Sequence, residues 1–190
     1  MSASRCVPLG KISAIVSNTA AAAVSMAAGI APDVIAKTLK DFKGVEHRLE
    51  FVNRVDGVAY VNDSKGTNPD AGIKAIEAIG KDILLIAGGF DKGADFTEYI
   101  SAAKGRVKKL ILIGAAGEIM RELAIIEGFS AEDVFMAADM GEAVRTGAEY
   151  AIPGDTVLLS PACASWDMYR DYEERGADFK ARVMELAERR

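Results

Sequence analysis

From residue 49 onward, short apolar runs recur along the chain, each followed by a polar loop and then by a stretch with helical spacing. The runs cover residues 49–55, 58–61, 83–87, 110–113, 134–137 and 156–159. The first two flank Asp56-Gly57, the dipeptide type that most favours a two-residue hairpin turn. The others alternate with amphipathic stretches over 71–79, 96–103, 116–127 and 140–150, and a charged helix over 169–188 follows. Short, wholly apolar strands separated by amphipathic helices are the pattern of a parallel sheet covered on both faces. The chain is therefore expected to be α/β: a Rossmann-like, mostly parallel sheet with flanking helices and a β-hairpin at its start.

The first part reads differently. Residues 11–28 are rich in Ala with Ile, Val and Met, which predicts a buried helix. Pro32 suits the first turn of a second helix running to Phe42, with Gly44 as its stop. Composition shifts between residues 44 and 50, the candidate domain boundary. The expected organisation is an unassigned head over 1–10, a short helical segment over 11–46, and the α/β domain over 47–190.

Composition narrows the class. The chain has 190 residues, 50% hydrophobic and 27% charged, with a formal net charge of −5. These values suit an ordinary globular protein with enough apolar residues for a real core. The acidic balance argues against non-specific nucleic-acid binding, which needs surplus Lys and Arg. Residues 20–30 are apolar but too few to span a bilayer, so no membrane insertion is expected. Cys6 and Cys163 form no disulfide framework and no secretory signal precedes them, which points to a reducing cytoplasm. With one histidine and two distant cysteines, a Cys/His zinc site is not expected, and no metal ligands are assigned.

Candidate chemistry lies in three loops that each follow an apolar run. Loops after parallel strands emerge at one rim of a sheet, where open α/β folds bind ligands. In the first, Asp63 precedes Lys65 and Thr67, and Asn68 and Pro69 are placed to cap and open a helix. Such a turn can hold an anion or phosphate on its N–H groups, or can simply be a capped turn with solvated charges. The second, Gly88-Gly89-Phe90-Asp91-Lys92-Gly93, lets the backbone approach a ligand and offers Lys92 to a carboxylate; its plainer reading is a flexible turn. It lacks the spacing of a phosphate-binding P-loop, and no Gly-x-Gly-x-x-Gly fingerprint occurs in the chain. The third runs from Ser160 to Asp167 and offers the Ser160 and Ser165 hydroxyls as donors. Cys163 reads as a small buried thiol, since the only histidine, His47, has no arrangement around it that supports a Cys–His pair. Arg48, at the domain boundary, is a candidate phosphate contact, and the stretch 171–176 reads as a solvated helix face.

Taken together, Glu46-His47-Arg48-Leu49-Glu50, Asn62-Asp63-Ser64-Lys65-Gly66-Thr67-Asn68-Pro69, Gly88-Gly89-Phe90-Asp91-Lys92 and Leu158-Leu159-Ser160-Pro161-Ala162-Cys163-Ala164-Ser165 resemble the Mur ligase family over about residues 11–190. Within it they resemble the D-glutamate-adding branch, because sister ligases for other amino acids typically carry His or Tyr where this chain has Lys65. The resemblance implies a three-domain enzyme of peptidoglycan synthesis, with a UDP-sugar domain, a central P-loop ATPase and a carboxy-terminal α/β domain. Residues 11–46 would be the helical end of the central domain, and 47–190 the carboxy-terminal one.

The implied reaction joins D-glutamate to UDP-N-acetylmuramoyl-L-alanine through an acyl phosphate made from ATP, with Mg²⁺ held mostly in the central domain. Thr67, Lys92, Ser165, Trp166 and Tyr172 would line the D-glutamate pocket. Arg48, Asp63 and Lys65 would lie near ATP, and Asn18 would touch the adenine. Ala14 and Ile15 stand where the family usually has a His-Asn pair. No catalytic residue is assigned in this chain, which lacks the P-loop lysine and the UDP-sugar domain and is expected to be inactive alone. The alternative is a non-catalytic small-molecule-binding or regulatory module with the same fold.

Overall fold

The computed structural model describes residues 12–42 and 44–189, the side chains of 12–18 excepted. They fall into two compact units that part between Val45 and Glu46. The first holds two helices, α1 (Ile12–Ala27) and α2 (Pro32–Asp41). Between them Gly29 takes φ 80°, and the N–H groups of Gly29 and Ile30 return to the Met26 and Ser25 carbonyls, closing α1. Pro32 opens α2 as its first residue.

The second unit starts with strands β1 (Glu50–Val55) and β2 (Val58–Asn62), paired antiparallel. Asp56 and Gly57 both have positive φ, 48° and 82°, the geometry a two-residue hairpin turn requires. Strand–helix units follow: α3 (Pro69–Ile79), β3 (Ile83–Gly88), α4 (Thr97–Ala103), β4 (Val107–Ile113), α5 (Gly117–Ile126), β5 (Val134–Met136), α6 (Met140–Tyr150), β6 (Thr156–Leu159) and α7 (Tyr172–Glu188). The six strands form one sheet in the order β1-β2-β6-β3-β4-β5, parallel except for β1. This is the expected fold.

Two boundaries differ from the sequence expectation by three residues, the others by less. β4 begins at Val107, since Lys108 and Lys109 continue the strand while their ammonium groups reach Asp155 and Asp133. α7 begins at Tyr172 rather than 169, because the Asp171 carboxylate accepts from the Glu174 N–H and so caps the helix there.

Alternation along the strands divides the core. Val61, Leu85, Ala87, Leu110, Leu112 and Leu158 face α3, α4 and α5, where Ile76, Tyr99, Ile100 and Met120 meet them. Tyr60, Leu84, Ile86, Ile111, Ile113, Val157 and Leu159 face α6 and α7, against Met140, Val144, Phe179 and Val183. The central strands are apolar on both faces because both faces are covered.

The consequence for function is topological. The chain leaves β2, skips a place to β3, runs outward to β5, and returns through α6 to insert β6 between β2 and β3. The three motif loops thus leave three neighbouring strands at one rim, although the first and last lie far apart in sequence.

Candidate functional site

At the end of β2, Asn62 is fully buried, and its amide reaches His47 Nδ1 and Glu50 Oε2, both at 3.0 Å. With the Asn62 amide donating, His47 Nδ1 is the acceptor of its ring. His47 is itself buried, and its carbonyl accepts from the Lys65 N–H, which ties the domain's first residues to the loop after β2.

Asp63 is 4% exposed, with one oxygen accepting from the Leu49 N–H at 3.2 Å and the other from Ser160 Oγ at 2.9 Å. Burial raises its pKa from 3.8 to about 6, against the lowering effect of those hydrogen bonds and of the Arg48 charge. The Ser160 hydroxyl is therefore committed to Asp63, not turned toward a ligand. Asn68 caps α3 through its side chain, which accepts from the Ala71 N–H at 2.9 Å, and Pro69 opens the helix.

The glycine loop after β3 is not a flexible turn. Gly88 and Gly89 have φ of 107° and 131°, and a Cβ on Gly89 would lie 2.4 Å from the Ala164 carbonyl oxygen. The backbones dovetail: the Gly88 N–H donates to Pro161 and the Phe90 N–H to Ala164. Opposite, Ala162 sits at φ 58°, an unfavourable conformation for a residue with a Cβ. Cys163 is 2% exposed and burial pushes its thiol up to about 12, so it is no nucleophile at neutral pH.

From α7, Arg175 fastens the loops after β2 and β6 together. Its side chain is 1% exposed; Nε donates to Ser64 Oγ, Nη1 to the Ala164 carbonyl, and Nη2 to the Ser64 and Cys163 carbonyls, at 2.9–3.1 Å. Ser64 Oγ in turn donates to the Tyr172 carbonyl at 2.7 Å. Burial lowers the guanidinium's pKa to about 10, which leaves it a cation at neutral pH. This overturns the reading of 171–176 as a solvated face: Arg170 and Glu174 pair outside, but Arg175 and Gly176 point inward. The spacing held the signal, since Arg175 lies four residues before Phe179 and eight before Val183, on the buried stripe of α7. Gly176 is needed there because a Cβ would lie 2.2 Å from His47 Nδ1.

Around this frame the predicted site residues form two groups. Thr67 and Lys92 line one cavity of about 40 Å³ with Asn68, Phe90, Phe96, Ala162 and Cys163. Lys92 Nζ lies 5.5 Å from the centre of the Trp166 ring, and Ser165, next to it, is buried. In the second group, Lys65 Nζ is 3.3 Å from Tyr172 Oη and 5.2 Å from that ring's centre. Asp63 and exposed Arg48 flank this group. Tyr172 thus stands beside Lys65 and His47, not beside Lys92. The side chain of Asn18, on α1, lies outside the described residues, as do the head 1–10 and Cys6.

Both groups present cations with half-buried hydroxyl or phenol neighbours, which suits anionic ligands. At about 40 Å³ the cavity is far smaller than an ordinary small-molecule pocket of roughly 300–1,000 Å³, so these residues offer one wall of a site. Among the described residues no three His, Cys, Asp or Glu side chains are grouped to hold a metal, so no Mg²⁺ ligand set is found here. No described helix is long and apolar enough to cross a membrane.

Residues 47–163 match the family model described as "Mur ligase, glutamate ligase domain". The chain is 56% identical over 167 residues to the UDP-N-acetylmuramoylalanine–D-glutamate ligase of Thermoanaerobacter sp. (strain X514), covering 88% of this chain and 37% of that protein. The same enzyme of Clostridioides difficile (strain 630) is 52% identical, again over 88% of this chain and 37% of that protein. The chain thus spans little more than a third of the length of these curated relatives. Among solved structures, a pseudomurein peptide ligase type C from Methanothermus fervidus superposes with TM-score 0.59 at 18% identity, covering 89% of this chain and 35% of that one. A MurF ligase from Thermotoga maritima in complex with ADP gives 0.56 at 16%, covering 87% and 37%. At such identities the likeness shows the shared fold.

Proposed function

Because the chain belongs to the Mur ligase family through its glutamate ligase domain, we propose that it is the amino-acid-delivering part of an enzyme that joins D-glutamate to UDP-N-acetylmuramoyl-L-alanine. The observation that carries this reading is the 56% identity to a named D-glutamate ligase across 88% of the chain. The parting of the two units between Val45 and Glu46 supports taking residues 11–46 as the helical end of an ATPase domain and 47–190 as the carboxy-terminal domain.

In this reading ATP phosphorylates the alanyl carboxylate, the D-glutamate amine attacks the acyl phosphate, and phosphate leaves. Lys92 pairs with one D-glutamate carboxylate, Thr67 and Ser165 hydrogen-bond to it, and Trp166 borders the pocket with Tyr172 at its far side. A dicarboxylate needs fixed positive charge and convergent donors, because desolvating it unpaired is prohibitive. Arg48, Asp63 and Lys65 face the nucleotide, with Asn18 at the adenine. Asp63, already bound to Ser160 and Leu49, acts by holding that loop in place until a ribose hydroxyl reaches it. The facing walls, the P-loop and the Mg²⁺ ligands come from the other domains, and closure onto them excludes water from the acyl phosphate. The enzyme is cytoplasmic, where its nucleotide substrates are.

Incorporation of labelled D-glutamate into UDP-N-acetylmuramoyl-L-alanine, with ATP and Mg²⁺, tests this. Product is expected when the chain is mixed with a fragment carrying the amino-terminal and central domains, and not with the chain alone. If the chain fused to those domains were also inactive, the ligase reading would fall in favour of a non-catalytic binding module.

A further inference from the structure

Lys92 is exposed, and no carboxylate lies within ion-pair distance of it among the described residues. A lysine in that state ordinarily samples many rotamers, and a ligand that uses it must first restrict them. Here the backbone on both sides is already fixed. The Phe90 N–H donates to Ala164 at 2.9 Å, and Asp91 Oδ1 accepts from the N–H groups of Gly93 and Ala94 at 2.8 and 3.1 Å. Only the side chain remains to be placed, and its ammonium lies 5.5 Å from the centre of the Trp166 ring.

Trp166 is 62% exposed, so core packing does not account for its position. Its backbone is held on either side: Arg175 grips the Ala164 carbonyl, and the Ser165 carbonyl accepts from the Met168 and Tyr169 N–H groups. Phe90, which lines the cavity, packs on the indole at 5.7 Å. The indole therefore stands beside Phe90 and Lys92, which line the cavity, as an aromatic face within cation–π range of the ammonium.

We propose that Trp166 is a positioning residue whose indole face holds the Lys92 ammonium at the cavity mouth, ready to anchor a ligand carboxylate. The proposal depends on the D-glutamate reading only for which carboxylate that is. The incoming carboxylate takes the ammonium as its partner while the indole keeps the stem of Lys92 in place. Lys65 stands over the ring of Tyr172, the first residue of α7, in the same way, at 5.2 Å.

Trp166 is the only tryptophan in the chain, so its fluorescence reports on the contact directly. Lys92→Met changes an exposed side chain, and its emission is expected to differ from that of the native chain without any ligand. Identical emission would overturn the proposal. D-glutamate and succinate, titrated at constant ionic strength against a chloride control, are each expected to shift the native emission and leave that of K92M unmoved. A response to succinate but not D-glutamate would sustain the positioning role and sink the D-glutamate reading; a response to neither would overturn the carboxylate anchor. By NMR titration, Trp166→Leu is expected to weaken binding of the responding carboxylate about 2- to 5-fold. Trp166→Phe, which keeps an aromatic face, should recover most of that loss. Equal affinity in native and W166L chains, both folded by circular dichroism, would also overturn the proposal.

Discussion

Arg175 offers four hydrogen bonds to two loops, those after β2 and β6, and among the described residues no carboxylate forms an ion pair with it. Replacing it with Met leaves the Ser64 and Cys163 carbonyls short of a donor in a buried place, and leaves the Ala164 carbonyl with the Phe90 N–H alone. Arg175→Met is expected to cost about 3 kcal/mol, read as a lower urea midpoint at unchanged slope. Asp63 acts in the opposite sense. Its folded pKa, about 6, lies above the ordinary 3.8, so between those values the folded chain holds a proton that the unfolded chain has released. Stability therefore falls as pH rises through that window, and the cost, at most about 3 kcal/mol, is complete above pH 6. Asp63→Asn removes the titration, so urea melts should show it about 1–3 kcal/mol more stable than the native chain at pH 7 and level with it at pH 3.5. A constant difference across that range would show that Asp63 does not titrate there. At this scale residue identities were legible in the sequence and their partners were not: Ser160 was readable as a donor, but not that Asp63 would claim it.

Among the elements, the hairpin and α3 were written most plainly. Asp56-Gly57 gave the turn, and Asn68-Pro69 gave the first turn of the helix. Asn68→Ala should cost about 1 kcal/mol through loss of the cap, measured by thermal unfolding. The glycine loop was harder to read, because glycine serves equally for mobility and for close approach. Its contacts settle the matter. Gly89→Ala must adopt φ 131° and push its Cβ against the Ala164 carbonyl and Arg175 Nη1. It is expected to raise amide hydrogen exchange at Phe90 and across 160–166 together, since one clasp holds both loops. Exchange raised at residues 88–93 alone would show that the loops open independently.

For the whole molecule, the second unit carries two apolar clusters, one on each face of its sheet, built from its own residues. Residues 46–190 made alone should therefore unfold cooperatively by circular dichroism; a gradual, featureless melt would show that the first unit is part of that fold. The apolar runs, the helical spacing between them and the turn residues determined the class and the six strands, because local sterics and burial act on neighbours in the chain. The strand order was not determined that way. Insertion of β6 between β2 and β3 depends on which faces the helices cover, a choice between packings that local pattern leaves equivalent. That insertion brings Thr67, Lys92 and Trp166 to one rim and buries Arg175 beneath them. A charged residue on an acidic helix became the centre of the site's frame only because tertiary packing surrounded it with the Ser64, Cys163 and Ala164 carbonyls, from two loops distant in sequence.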